Sequence, residues 1–333
     1  MRAPRGVGGA GGLLERMHVA RASGQTALVG FDFPLGVPRA YAARAGIDNF
    51  ANWLRNLDRR DQLFSVAGDV ADVSVARPFF PSRVARRSPG IKREFRAALG
   101  LSAESALRRC DLAHCRRGAA SEVFWALGPQ AVGKATLTGW RDFIAPALAD
   151  TAHRYAIWPF DGGLRELLSR ADAVIVEAYP GDAYLQLGLR MGSRGTAKTR
   201  QDDRRADAAR LLHRCRRNDV VLDRDLVAEV RDGFGPSRAG EDRFDATVGL
   251  LAMIEAVRRR EEPDLPEDPS VRLQEGWMFG RHCRCPPDSQ LDDTVTFDIT
   301  TAGDGDPSCG GFVGSDPILS TTSIPEETLP TSA

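Results

Sequence analysis

The chain has 333 residues, of which 42% are hydrophobic and 27% charged, with 45 Lys and Arg against 45 Asp and Glu. That length allows one large domain or two. The balance is that of an ordinary soluble globular protein, and no stretch approaches the ~18 consecutive apolar residues that a membrane span needs. The zero formal charge hides an asymmetry: residues 286–333 hold nine acids and no Lys or Arg, so the first 285 residues carry +9. Since 42 of the 45 cations are Arg and only Lys92, Lys134 and Lys198 are Lys, bulk Arg content is weak support for nucleic-acid binding. The six scattered cysteines do not form the disulfide framework of a small secreted domain. No apolar run of signal-peptide length precedes Glu15, so a reducing, cytoplasmic setting is the default expectation.

In chain order, residues 1–11 read as a flexible Gly-rich leader. Gly6, Gly8 and Gly11 match the letters of a dinucleotide fingerprint, but no strand precedes them. LLERMHVARA (13–22) forms a short amphipathic helix. TALVGFDFPLG (26–36) is a continuous apolar strand that ends at Asp32 and is closed by Pro34 and Gly36. Residues 48–64 look helical. The zone 77–117 holds eleven Lys or Arg against three acids, a solvated face or a polyanion surface, with Arg83, Arg86, Arg87, Lys92 and Arg93 as its candidate phosphate contacts.

Strands and helices then alternate: RYAIWPF (154–160), GLRELLSRA (163–171) and AVIVEAYP (173–180) read as strand, helix and buried strand, the order that makes a mostly parallel sheet in an α/β domain. MGSRGTAKTRQDDRR (191–205) offers Lys198, Arg204 and Arg205 either as a phosphate-contacting loop or as a solvated linker. Helices follow at 204–217, 223–231 and 240–260, the last with acids in its first turn and Arg at its end, as the dipole favours. EGWMFG (275–280) is a final strand or ordered turn. From residue 286 the acidic Thr-, Ser-, Gly- and Pro-rich tail has no apolar periodicity and is expected to be disordered.

Four carboxylates sit where chemistry could gather: Asp32 and Glu177 at strand ends, and Asp242 with Asp245 three residues apart on one helical face. Hard divalent cations take oxygen ligands from the ends of separate elements in this way. Taken singly, acids in a first helical turn serve the dipole and an Asp after a strand forms a turn. Glu177, inside an apolar run, needs a partner or a metal. Cys110-x-x-x-His114-Cys115 and His282-Cys283-x-Cys285 lack paired zinc-site spacing and read as incidental. There is no Gly-x-Ser-x-Gly elbow to support covalent hydrolase chemistry.

The segments GFDFPLGVP (30–38), GPQAVGKATLTGW (128–140), AIWPFDG (156–162), VIVEAYPGDAY (174–184), EDRFDATVGLLA (241–252) and EGWMFG (275–280) together resemble the predicted RNase H-like nuclease family known as domain of unknown function 429, from about residue 12 to about 280. The resemblance implies one ribonuclease H-like α/β domain over 12–285, with a mixed central sheet flanked by helices. It also implies a metal-dependent nuclease in which Asp32 and Asp245 hold Mg²⁺ or Mn²⁺, with Glu177 and Asp242 as further active-site carboxylates; Lys198, from its own segment, is the candidate nucleic-acid contact beside them. The family's first strand carries another Asp that this chain lacks before Glu15, so the resemblance further implies an N-terminally shortened member of reduced activity. The alternative is a non-catalytic nucleic-acid-binding or structural protein on the same fold, distinguished by whether divalent metal stabilises it.

Overall fold

The structure is a computed structural model that describes residues 1–283, apart from residues 7, 59, 83–88, 116, 129–130, 192–194 and 260–261. The expected acidic tail and Arg83, Arg86 and Arg87 therefore lie outside the described residues.

At the centre is a parallel three-stranded sheet: β1 (Ala27–Phe31), β2 (Tyr155–Ile157) and β3 (Ala173–Glu177), in the order β1-β3-β2. Ala27 pairs with Ala173 and Phe31 with Glu177 on one side of β3, while Tyr155 pairs with Ala173 and Ile157 with Ile175 on the other. All five residues of β3 are buried, as its β-branched composition demands of a central parallel strand. The chain is thus α/β as expected, but every named strand pair among the described residues is parallel where a mixed sheet was anticipated. β2 stops at Ile157, two residues short of the end of β3. Beyond that point Met278 bridges Glu177 and the Phe279 amide donates to the Glu177 carbonyl, so EGWMFG is an ordered turn that takes the place β2 vacates.

Helices surround the sheet in chain order: α1 (Gly9–Ala22), α2 (Arg39–Ala45), α3 (Phe50–Arg55), α4 (Ile91–Ala98), α5 (Gly133–Gly139), α6 (Ala145–Ala149), α7 (Leu164–Arg170), α8 (Pro180–Gln186), α9 (Gln201–Ala206), α10 (Ala208–Arg217), α11 (Arg224–Asp232) and α12 (Arg238–Arg258). A π-helical turn, Trp140–Ile144, joins α5 to α6. It ends just before Pro146, whose missing amide cannot continue regular α-helical bonding. Helix α1 begins at Gly9, inside the stretch expected to be a flexible leader, because Ala10, Leu13 and Leu14 pack on the sheet-side core. The residues before it are also anchored. Met1 donates to the Val221 carbonyl and accepts from the Asp223 amide, and Met1 and Ala3 pack on a second apolar cluster built from α8, α10, α11 and α12.

Helix α12 links the two cores. Phe244, Val248 and Leu251 belong to the helical cluster, and Met253 and Ala256 to the cluster around β3. Its approach to β1 depends on Gly30, where an added Cβ would sit 2.4 Å from the Met253 sulfur and 2.8 Å from Ala178 Cβ. Any side chain at residue 30 would force the Met253 thioether aside and press on Ala178.

Candidate active site

Asp32 follows the last residue of β1, and Asp245 lies in the third turn of α12. Asp32 thus stands at the carboxyl end of a parallel strand, the end at which α/β sheets place their sites, and Asp245 approaches it from the helix. Asp32 is exposed to solvent, yet protein atoms crowd round it closely enough to disfavour its charge. That crowding and the neighbouring charges of Asp245, Glu177 and Asp242 push its pKa up to about 7, against the opposing pull of Lys198. The structure therefore gathers the four expected carboxylates within electrostatic reach of one another.

Their roles differ. Asp245 is buried, with 8% of its surface exposed, and both its oxygens are engaged: Tyr184 donates its hydroxyl to Oδ1 and Lys198 its ammonium to Oδ2. The carboxylate next to Tyr184, together with burial, pushes the phenol well above its usual range, so Tyr184 acts as a fixed donor. Asp242, one turn earlier, is exposed. Glu177 faces inward. The fully buried Arg108 guanidinium donates to both its oxygens at 2.7 Å, and the Leu35 amide adds a third bond at 2.7 Å. Arg108 also makes two guanidinium bonds to Asp111, leaving one cation between two carboxylates. Glu177 was expected among the active-site carboxylates, as a buried group needing a partner or a metal. In the structure its charge is spent on Arg108, and its oxygens hold the turn that follows Asp32.

That turn is clamped from several directions. The Trp140 indole donates to the Pro34 carbonyl, Val37 N–H to the Gln274 carbonyl, and Arg39 and Arg109 N–H to the Glu275 carboxylate. Gly36, at φ +137°, and Gly276, at φ +69°, cross so closely that a Cβ on either would meet the other segment's backbone carbonyl at 2.1 and 2.0 Å. The loop bearing Asp32 is thus held by buried polar groups, as a preorganised site requires. Trp140, Tyr184 and Glu275 carry no sequence signal of these roles, since their partners lie far along the chain. Arg108 was hidden in the basic zone, although its Asp partner three residues on was a visible cue.

The proposed nucleic-acid contacts divide. Lys92 pairs with Glu122 at 3.1 Å and lies over the Trp125 ring. Arg96 joins the same carboxylate, Arg109 reaches Asp268, and Arg117 bonds Asp182 at 2.6 Å. Much of the described basic zone is therefore engaged by the protein's own acids. Arg93 is exposed on α4. Lys198 lies at the carboxylate cluster. Its carbonyl accepts from Arg204, which is fully buried and also donates to the carbonyls of Gly233 and Gly235. The segment read either as a phosphate-contacting loop or as a solvated linker is tied through Lys198 to the turn before α12 by Arg204, while Arg205 makes surface pairs with Asp202 and Asp232.

Two described groups bring three potential metal ligands within 4.8 Å of one another: Cys110, Asp111 and Glu177, and His18, Asp150 and His153. The first surrounds Arg108, whose charge opposes a second cation, and burial pushes the Cys110 thiol well up. Asp32, Asp242 and Asp245 do not form a group that tight. Among the other described cysteines, Cys110, Cys215 and Cys283 are free thiols. Cys115 is disulfide-bonded, which departs from the expectation of incidental cysteines. No described helix is long and apolar enough to cross a membrane. Neither the protein-family models, the curated proteins nor the solved structures contain a match to this chain.

Proposed function

We propose that the chain is a metal-dependent phosphodiester hydrolase acting on nucleic acid, with an RNase H-like arrangement of carboxylates. The observation that carries this reading is the meeting of Asp32 and Asp245, from β1 and α12, beside Asp242 and Lys198, with Asp32 holding its proton up to about pH 7. Burial is the larger cause of that retained proton, but the neighbouring carboxylates add to it, and a place where carboxylates repel one another is one where added positive charge is favourable. The donor set suits Mg²⁺ or Mn²⁺, since these hard ions prefer carboxylate oxygen. Asp32 and Asp245 would hold the ion, with Asp242 at the rim. Bound there, such an ion supplies water activation and stabilisation of the leaving oxygen.

The chain's own residues do the rest. Asp32 gives up its proton above about pH 7 and presents two oxygens to the cluster. Tyr184 fixes the rotamer of Asp245. Lys198 neutralises Asp245 in the resting chain; on yielding that contact it is placed to meet a phosphate oxygen. Glu177 and Arg108 fix the Asp32 turn. Arg93, exposed on α4, adds positive charge for a polyanionic backbone.

The deciding assay incubates the purified chain with single- and double-stranded RNA, DNA and hybrid, with and without Mn²⁺ or Mg²⁺, beside Asp32→Asn and Asp245→Asn. Cleavage that needs metal and is lost in both variants is the expected result. Cleavage that survives both substitutions refutes the assignment. Salt-sensitive binding without cleavage under any metal would make the chain a non-catalytic nucleic-acid-binding protein.

A further inference from the structure

At the opposite end of the sheet, His18 on α1 lies against the turn that connects α6 to β2. Its ring stacks on that of His153, with centroids 4.0 Å apart and planes 11° from parallel. His18 Nε2 and the Tyr155 hydroxyl are 2.7 Å apart, and His153 Nδ1 and Asp150 Oδ2 are also 2.7 Å apart. One potential ligand atom from each of His18, Asp150 and His153 falls within 4.8 Å of the other two, and all three residues are half-buried. Tyr155 pairs through Ala173 with Ala27, the first residue of β1, whereas Asp32 lies beyond the last. The two places are therefore separated by the length of the strand, roughly 16 Å at ~3.3 Å per residue.

We infer that His18, His153 and Asp150 form a site for a borderline transition-metal cation of the Zn²⁺ class, distinct from the carboxylate cluster. Two imidazoles and a carboxylate are a nitrogen-rich donor set that suits Zn²⁺, Ni²⁺ or Cu²⁺ and is a poor match for Mg²⁺. At metal–ligand distances of ~2.0–2.2 Å, tetrahedral ligand atoms stand ~3.4 Å apart. The three side chains need to close by an ångström or so, which half-buried groups can do by small torsional shifts. The frame that carries them is already fixed. Arg21, one turn beyond His18 on α1, bonds the Asp172 carboxylate at 2.7 Å and the Ala152 carbonyl at 3.3 Å, and Asp172 also receives the Arg154 amide. Asp150 is held by the Ala152 amide at 2.9 Å. Binding would cross-link α1 to the start of β2, elements 133 residues apart between Ala22 and Tyr155.

The test uses the whole chain with Zn²⁺ in competition with a chromogenic chelator, and with Co²⁺ for its visible spectrum. One equivalent of Zn²⁺ at micromolar metal is expected, with Co²⁺ bands of nitrogen and oxygen ligation and no thiolate charge-transfer band. His18→Ala and His153→Ala should each lose that equivalent, and Asp150→Asn should weaken it about 10- to 100-fold. Asp245→Asn should bind as the parent does, so failure here is separable from failure of the carboxylate site. Zn²⁺ should raise the melting temperature of the parent and of Asp245→Asn by several degrees and leave His18→Ala unmoved. An equivalent that persists in the His18→Ala/His153→Ala double variant, a thiolate spectrum, or no binding by the folded parent would overturn the inference.

Discussion

Asp32 is open to solvent, yet its carboxyl keeps its proton up to about pH 7. The sign of the resulting pH dependence follows directly. An acid whose folded pKa lies above its unfolded value of ~3.9 favours the folded state while it is protonated. Its contribution is complete below the unfolded pKa and is lost as the pH rises through about 7. Asp32→Asn, which cannot ionise, should therefore gain melting temperature relative to the parent as the pH goes from 4 to 8. Carbon-13 titration of the parent should place the carboxyl midpoint near 7, and Mg²⁺ should move it down; a midpoint near 4 in metal-free protein would contradict the picture. Arg108 poses the complementary case of a cation that cannot be removed cheaply. Arg108→Met leaves Glu177 and Asp111 buried together without a counter-charge, and should cost about 3–5 kcal/mol in urea unfolding. A loss below 1 kcal/mol would show that the network relaxes into water.

At the scale of elements, β1, β3 and α12 were legible because a β-branched buried run and a long helix with acids first and Arg last are strong patterns. The start of α1 was not. Five glycines in Gly6–Gly12 argue against a helix, and only the packing of Ala10, Leu13 and Leu14 on the core overrides them. The carboxylates Asp32 and Asp245 could be marked from position alone. The inward role of Glu177 could not, since its partner Arg108 lies 69 residues away, and the His18–His153 stack joins segments with no shared motif. The seam between β1 and α12 is the element contact on which the candidate active site depends. Gly30→Ala should cost about 1–3 kcal/mol through overpacking against Met253 and Ala178, and should weaken Mg²⁺ binding at Asp32 and Asp245 as Met253 is forced aside on α12. Met253→Ala in the same chain should recover part of both losses, which thermal shift with and without Mg²⁺ would measure.

For the molecule as a whole, α12 makes the sheet-side and helical cores interdependent, since its buried face serves both. Leu251, fully buried on that face, should cost about 2–5 kcal/mol on truncation to Ala. Tryptophan fluorescence, reporting on Trp140 and Trp158 beside the sheet, and far-ultraviolet circular dichroism, dominated by helices, should shift together. Two separated transitions would show that the cores fold apart.

The bridge between Glu177 and Met278 has one more implication. β3 is sheltered along its first residues by β2, but its final rung is covered by a segment one hundred residues further along the chain. A polypeptide ending before residue 275 would leave the amide and carbonyl groups of that rung bare, directly beside Asp32. An uncovered strand margin is a template for another chain, so such a fragment would be prone to recruit a second molecule at its most functional end and to self-associate there.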